Sequence, residues 1–281
     1  MYNNIKDISI LVVGFDGYID VWNHCFDLMN KYWQDRPLTY LATSVLTPEF
    51  EGVTVIPAGL NSEWSKRAYT ALQKIETPYV LLMLEDFFIT DYVDNKVFSD
   101  TFELIQKNDI KFYQVLVQLL NQNHVRGIPF NNQRLVRQIP HDKKYALNLQ
   151  AAIWDRKFLM DVIGPENYNA WLFEISQLHP AEINKDKVQY LIDGRNILNI
   201  EHTIVQSKYL RKAIKNLRKI GCDIDPNERE VLSFKDDFKY NLKLFMYEFT
   251  PSFLVKPFKQ IGKLMGIDFV TDRINKTQNG K

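Results

Sequence analysis

The sequence predicts an α/β protein: a mixed sheet flanked by helices, followed by a helical C-terminal extension. Short apolar runs at residues 8–13, 38–43 and 53–56, and again from Tyr79, alternate with helical periodicity at 20–33 and 62–75. Alternation of this kind builds βαβ units and not a bundle. The run YVLLML after Thr77-Pro78 is continuous, as expected for a strand buried on both faces. From Ser233 the texture changes: aromatic and aliphatic residues interleave with lysines, and Pro251 and Pro257 break the run. Residues 1–230 are therefore expected to form one α/β domain and residues 231–281 the extension.

At 281 residues the chain is long enough to bury a sizeable core. Its formal net charge of +1 lacks the basic excess of a nucleic-acid-binding chain, so no nucleic acid partner is expected. Cys25 and Cys222 are too few and too far apart for a disulfide framework, which fits a reducing compartment. No apolar run approaches the ~18 residues of a membrane span, and the run at 8–13 stops at Gly14, short of a signal-peptide core. The expectation is a cytoplasmic protein, with peripheral attachment to the inner face of the cell membrane left open.

Taken in order, residues 8–13 read as a first strand emptying into Gly14-Phe15-Asp16-Gly17-Tyr18. The glycines there permit close approach of backbone to a ligand, and Asp16 and Tyr18 are placed to read a base and stack on it. The loop is not GxGxxG, so the dinucleotide fingerprint is absent. A helix over 20–33 follows, with Asp20 as its N-cap, then strands at 38–43 and 53–56. The helix over 62–75 carries Arg67, which could face a phosphate or stand in solvent. The apolar run from Tyr79 ends at Glu85 and Asp86. Ligands of open α/β sheets gather at the carboxyl ends of strands, so these acids are candidates for holding a metal, a sugar or a phosphate-bearing donor. They could equally cap the next helix.

A helix over 93–106 and a strand over 112–120 come next, and residues 121–144, rich in Asn, Gln, Arg and His, read as loops and short irregular strands. Residues 145–154 form a strand or extended segment leading to a helix over 156–163, which Gly164-Pro165 stops. Around 168–175, Trp171, Phe173 and Glu174 occur together. A carboxylate among aromatics tends towards a raised pKa, which suits a general base and is also met in glutamates that bridge under an aromatic layer. Strands at 188–192 and 197–200 are joined by Asp193-Gly194 as a hairpin-type turn.

The helix over 209–220 is amphipathic. Leu210, Ala213, Ile214, Leu217 and Ile220 make its apolar stripe, and Lys208, Arg211, Lys212, Lys215, Arg218 and Lys219 crowd the rest. Such a face is solvated, or meets anionic lipid or a phosphorylated acceptor. The extension carries too much apolar surface to stay unpartnered. Its expected partners are the body, a second copy of the chain in a homo-oligomer, or a membrane surface attracted by Lys256, Lys259 and Lys263.

Seven segments, in order over the first 230 residues, resemble a group of bacterial glycosyltransferase-like proteins of capsular and other cell-surface polysaccharide synthesis, with a GT-A-type, Rossmann-like fold. They are FDGYIDVW (15–22), KYW with Asp35 (31–35), SEWSKR (62–67), TPYVLLMLEDFF (77–88), LNLQAAIW (147–154), AWLFE (170–174) and IGCDID (220–225). The resemblance implies a nucleotide-sugar donor and a glycan or lipid-linked oligosaccharide acceptor. It implies donor binding by Asp16, Tyr18, Arg67, Glu85 and Asp86, with Asp16 near the base and Arg67 facing the phosphates. It makes Asp86 a catalytic residue and the ligand of a divalent ion, Mg²⁺ or Mn²⁺. Glu174 would deprotonate the acceptor hydroxyl with inversion at the anomeric carbon, and Trp154 and Trp171 would stack on sugar. The usual Asp-x-Asp clamp is replaced by adjacent Glu85 and Asp86. The alternative is a catalytically silent interaction or scaffold subunit of the same fold.

Overall fold

The computed structural model describes residues 3–117, 127–140, 146–176 and 188–249. The first half runs β1 (Ile8–Val13), α1 (Ile19–Tyr32), β2 (Thr39–Thr43), β3 (Val53–Pro57), α2 (Trp64–Lys74), β4 (Tyr79–Leu84), β5 (Phe87–Ile89) and α3 (Asn95–Lys107). The second half begins with β6 (Ile110–Gln114), β7 (Ile128–Phe130), β8 (Gln133–Gln138), β9 (Ala152–Asp155), α4 (Arg156–Ile163) and α5 (Ala170–Ser176). It ends with β10 (Gln189–Asp193), β11 (Ile200–His202), β12 (Ile204–Val205), β13 (Lys208–Tyr209), α6 (Arg211–Lys219) and α7 (Phe234–Phe249).

The expected mixed sheet flanked by helices is what the chain builds. Nine strands lie in the order β3-β2-β1-β4-β9-β6-β10-β8-β7. The first four are mutually parallel, β9 runs antiparallel between β4 and β6, and β10 returns parallel to β6. All six residues of β1 are buried, which accounts for its unbroken apolar sequence, since strands covered on both faces need no alternation. One face is packed by α1, α3 and α6 through side chains such as Trp22, Phe102 and Leu217. The other is packed by α2, α4 and α5 through Trp64, Phe158 and Phe173.

Local chemistry sets the helix ends. Asp94 caps α3 by accepting from the amides of Lys96 at 2.8 Å and Val97 at 3.2 Å, and Asp155 caps α4 through Phe158 at 2.9 Å. Each satisfies amide donors that the first helical turn leaves unpaired. Gly164 ends α4 at φ 71°, a left-handed conformation that glycine adopts without steric cost.

Two expectations are corrected. Residues 188–192 and 197–200 do not form a hairpin: β10 lies in the main sheet against β6 and β8, while β11 pairs with β5 in a separate ribbon. Asp193 is fully buried and is more than a turn former. It accepts from Arg195 Nη2 at 2.7 Å, an ion pair within the turn, and from the Tyr113 hydroxyl at 2.8 Å, a hydrogen bond that ties the turn to β6. The strand expected over 112–120 is displaced, running from Ile110 to Gln114, and residues 115–117 are buried without being in a strand. Residues 118–126 and 141–145, on which parts of the expected strand over 112–120, the expected polar loops over 121–144 and the start of the segment at 145–154 fall, and the residues beyond 249, with Lys256, Lys259 and Lys263, lie outside the described residues. Among the described residues no helix is long and apolar enough to cross a membrane.

Gly14 has a packing role. A Cβ built there would stand 2.7 Å from Trp22 Nε1 and 2.9 Å from Leu41 Cδ1, so the missing side chain makes room for the core and not for a ligand. Gly14→Ala is expected to cost ~1–3 kcal/mol, the usual range for overpacking. Urea denaturation measures this, and an unchanged midpoint would show that Trp22 moves freely.

Candidate functional site

The order β3-β2-β1-β4 reverses direction between β1 and β4, and such a switch point opens a crevice at the carboxyl ends of the two strands. Parallel pairing runs from Ile8 opposite Tyr79 to Val13 opposite Leu84. The loop that begins at Gly14 therefore faces Glu85 and Asp86 directly. The Phe15 amide donates to Glu85 Oε1 at 3.1 Å, closing the contact.

Around this point the structure gathers most of the residues singled out in the sequence. Arg67, in the first turn of α2, is 6% exposed. Its Nη1 donates to Ser44 Oγ at 3.3 Å and to the Ser62 carbonyl, while its Nε is buried without a partner. Burial pushes the guanidinium pKa down, and Glu85, Asp16 and Glu63 push it back up. A buried guanidinium beside a switch-point loop, with one N–H lacking a partner, carries the charge and the donor that a phosphate oxygen takes once it is exposed. Phe15, 53% exposed, holds its ring 5.9 Å from the Arg67 guanidinium. Sequence reasoning assigned it no role, yet it is the aromatic surface presented here. Its signal was an apolar residue stranded between two glycines of a loop.

Asp16 is already engaged. Its carboxylate accepts from the amides of Ser44, Val45 and Leu46 at 2.7, 2.9 and 3.0 Å, fastening the loop after β2 to the loop after β1. Tyr18 is also partly occupied: its hydroxyl donates to Ser207 Oγ at 2.9 Å, and Arg229 stands 4.0 Å over its ring. Arg229 in turn donates to both carboxylate oxygens of Asp20, at 2.8 and 2.7 Å, and to the Gly17 carbonyl at 3.1 Å.

The two acids part company. Glu85 is 7% exposed; burial first and Asp86 second push its pKa up to about 8, against opposing contributions from backbone amides and Arg67. Asp86 is held at 3.0 Å from His202 Nε2, and its backbone carbonyl accepts from the Thr203 amide and hydroxyl, both at 2.9 Å. Its Oδ1 is buried and unpartnered. His202 was not legible as a partner, because it lies 116 residues away on β11. Among the described residues no three His, Cys, Asp or Glu side chains form a group that could hold an ion. A divalent cation would draw on the free Asp86 Oδ1 and on substrate oxygens, the manner in which Mg²⁺ commonly binds.

Trp154 is not part of this gathering, and no charged group of it acts on Glu174. Trp154 is fully buried, with its ring against Phe112 at 4.5 Å and Phe158 at 6.2 Å; it has no face for a sugar and is a core residue. Trp171 is partly buried on α5. Burial raises the Glu174 pKa, a hydrogen bond from the Leu149 amide lowers it, and no charged group contributes. Leu149 leads into β9, and the amides of Val115 and Leu116, just past β6, donate to the Ala151 carbonyl at 2.9 and 3.2 Å. Glu174 thus reaches the same edge of the sheet as the acids while standing apart from them.

The raised Glu85 pKa has a measurable sign. Between the ordinary value of 4.5 and about 8, the folded state holds a proton that the unfolded chain has released. This contribution to stability is complete below 4.5 and is lost as pH rises towards 8. In metal-free buffer, Glu85→Gln is expected to flatten the fall in melting temperature over that window. Parallel profiles for the two proteins would mean that Glu85 titrates normally.

No family model matches the chain, and no curated protein matches it in sequence. Among solved structures, S. aureus TarS 1-349 in complex with UDP gives a TM-score of 0.45 at 13% identity, over 87% of this chain and 72% of that one. The crystal structure of S. aureus TarS gives 0.42 at 13% identity, over 86% of this chain and 43% of that one, so this chain spans less than half of its length. The 4-diphosphocytidyl-2C-methyl-D-erythritol synthase from Anaerococcus prevotii DSM 20548 gives 0.41 at 11% identity, over 72% and 94%. The chain is similar to these structures in the path of its backbone at a level that assigns it to none of them.

Proposed function

We propose that the chain is a glycosyltransferase that moves a sugar from a nucleotide-sugar donor to a hydroxyl of a cell-surface polysaccharide or lipid-linked oligosaccharide. One observation carries this reading: at the β1–β4 switch point a buried arginine with an unpaired donor, two strand-end carboxyl groups and an exposed phenylalanine converge on one crevice. The resemblance of the seven sequence segments points the same way.

In this reading the base of the donor lies along Phe15 and the loop that Asp16 and Tyr18 hold in shape. Arg67 faces the diphosphate, and charge growing on the leaving oxygen is stabilised by donors already in place, which is where such sites gain most of their rate. Mg²⁺ or Mn²⁺, when bound at Asp86, would neutralise the same oxygens. The acceptor oxygen forms its bond to the anomeric carbon as the bond to the diphosphate oxygen breaks. The diphosphate departs with the electron pair, and the hydroxyl proton passes to Glu174, with inversion. A glutamate raised by burial is suited to accept that proton near neutral pH.

Melting curves with UDP- and GDP-sugars, with and without Mn²⁺, test the donor half, since any ligand of the folded state raises apparent stability. At least one is expected to shift the curve, and Asp86→Asn is expected to reduce that shift or its response to Mn²⁺. Flat curves across the panel would remove the enzyme reading. Glu174→Gln is expected to retain the donor shift while transfer falls ~10²–10⁴-fold, the usual loss on removing a general base. Turnover near wild type would take Glu174 out of the mechanism.

A further inference from the structure

A cavity of about 570 Å³ lies beyond the carboxyl end of β6, outside the donor crevice. It falls within the roughly 300–1,000 Å³ typical of small-molecule sites. Leu116 and Val117 contribute to its lining. Glu201, Lys212 and Asn216 come from β11 and α6, and Asp237, Tyr240 and Asn241 from α7. Its inner end meets the donor site, because His202 both lines the cavity and lies 3.0 Å from Asp86.

The lining has the chemistry of a hydroxyl reader. Glu201 is fixed by Asn216 Nδ2, which donates to both of its oxygens at 2.9 and 3.0 Å, leaving its remaining lone pairs for a ligand. The Tyr240 phenol, like any phenol, keeps its proton at neutral pH and can donate a hydrogen bond, and burial, with Asp86 and Asp237, pushes its pKa up further, to about 12. The wall mixes three carboxylates with two lysines. That balance offers no cluster of cations to an anionic group and suits an uncharged polyol.

The extension is built into this site. Tyr240 packs against the small cluster of Leu210, Ala213 and Leu232, the Arg211 guanidinium lies 3.6 Å from the centre of the Phe234 ring, and Arg211 Nε donates to the Leu232 carbonyl at 2.8 Å. The first part of the extension is therefore docked on the body, and it brings its polar side chains to the cavity.

Resting on the glycosyltransferase reading above, we propose that this cavity is the acceptor subsite, that it takes an uncharged, hydroxyl-rich glycan, and that α7 supplies one of its walls. The acceptor then enters between α6 and α7, on the sheet face opposite α5, and presents a hydroxyl towards Asp86 and the donor; this placement competes with Glu174 as the base, and the Glu174→Gln turnover separates the two.

The test uses the full chain and a panel of methyl pyranosides of glucose, galactose, N-acetylglucosamine and N-acetylgalactosamine, read by saturation-transfer NMR, with the nucleotide-sugar melting shift measured in parallel. At least one glycoside is expected to bind. Tyr240→Phe and Asn241→Ala, whose melting without ligand serves as the folding control, are expected to weaken it at least tenfold and leave the nucleotide shift intact. Glycoside binding unchanged in both variants overturns the inference, as does a wild type that binds a nucleotide sugar and no glycoside. Binding that depends on Tyr240 and Asn241 in a chain that responds to no nucleotide sugar supports the cavity as a glycan site and removes the donor reading instead. A chain that binds neither ligand overturns both.

Discussion

The parallel register of β1 against β4 is the constraint on which the rest of the structure depends. With Val13 opposite Leu84, the last residues of the two strands end level, and whatever follows each must share one crevice. A shift of one residue would turn every side chain of β4 to the other face, and both apolar layers would lose their partners. Core packing and site geometry are therefore specified by the same set of buried aliphatic side chains. The fixed position of Glu85 beneath the Phe15 amide is a consequence of hydrophobic register, and no separate device is needed to place it.

The polar groups at that crevice are arranged in pairs across loops far apart in sequence. Asp16 gathers three amides of the loop after β2, His202 holds Asp86, and Arg229 holds Asp20 and Tyr18. Buried or partly buried polar groups are tolerable only when such partners are present. Arg67 Nε and Asp86 Oδ1, with Ser62 Oγ and His202 Nδ1 beside them, are buried without a partner and stand out against this economy. A ligand would satisfy them only after the loops over them shift to expose them.

Much of the architecture was legible because local chemistry and burial agreed. β1 was read to its end residues because a two-sided strand leaves a continuous apolar run, and α4 because Gly164 marks its stop. The hairpin at Asp193-Gly194 failed because turn chemistry is local while strand partnership is not. β10 buries itself between β6 and β8, a choice made by residues that the turn does not contain. Of the candidate site, the strand-end acids were placed by position, while Arg67 was placed only through the segment resemblance, because a lone helix arginine reads equally as solvated. Trp154 was misread because residue type does not say whether an aromatic face is covered, and His202 was invisible because nothing in its neighbourhood points to Asp86.

The contact between Arg229 and Asp20 joins residues 209 positions apart. Early strands can pair during synthesis, since domains form as units from the amino end, but the loop that carries Tyr18 gains its clamp only after residue 229 has left the ribosome. Contacts of such sequence separation are late and slow to form, because the intervening chain must be closed first. A chain cut before Arg229 would keep the strands of the main sheet while losing the clamp on the loop that carries Tyr18.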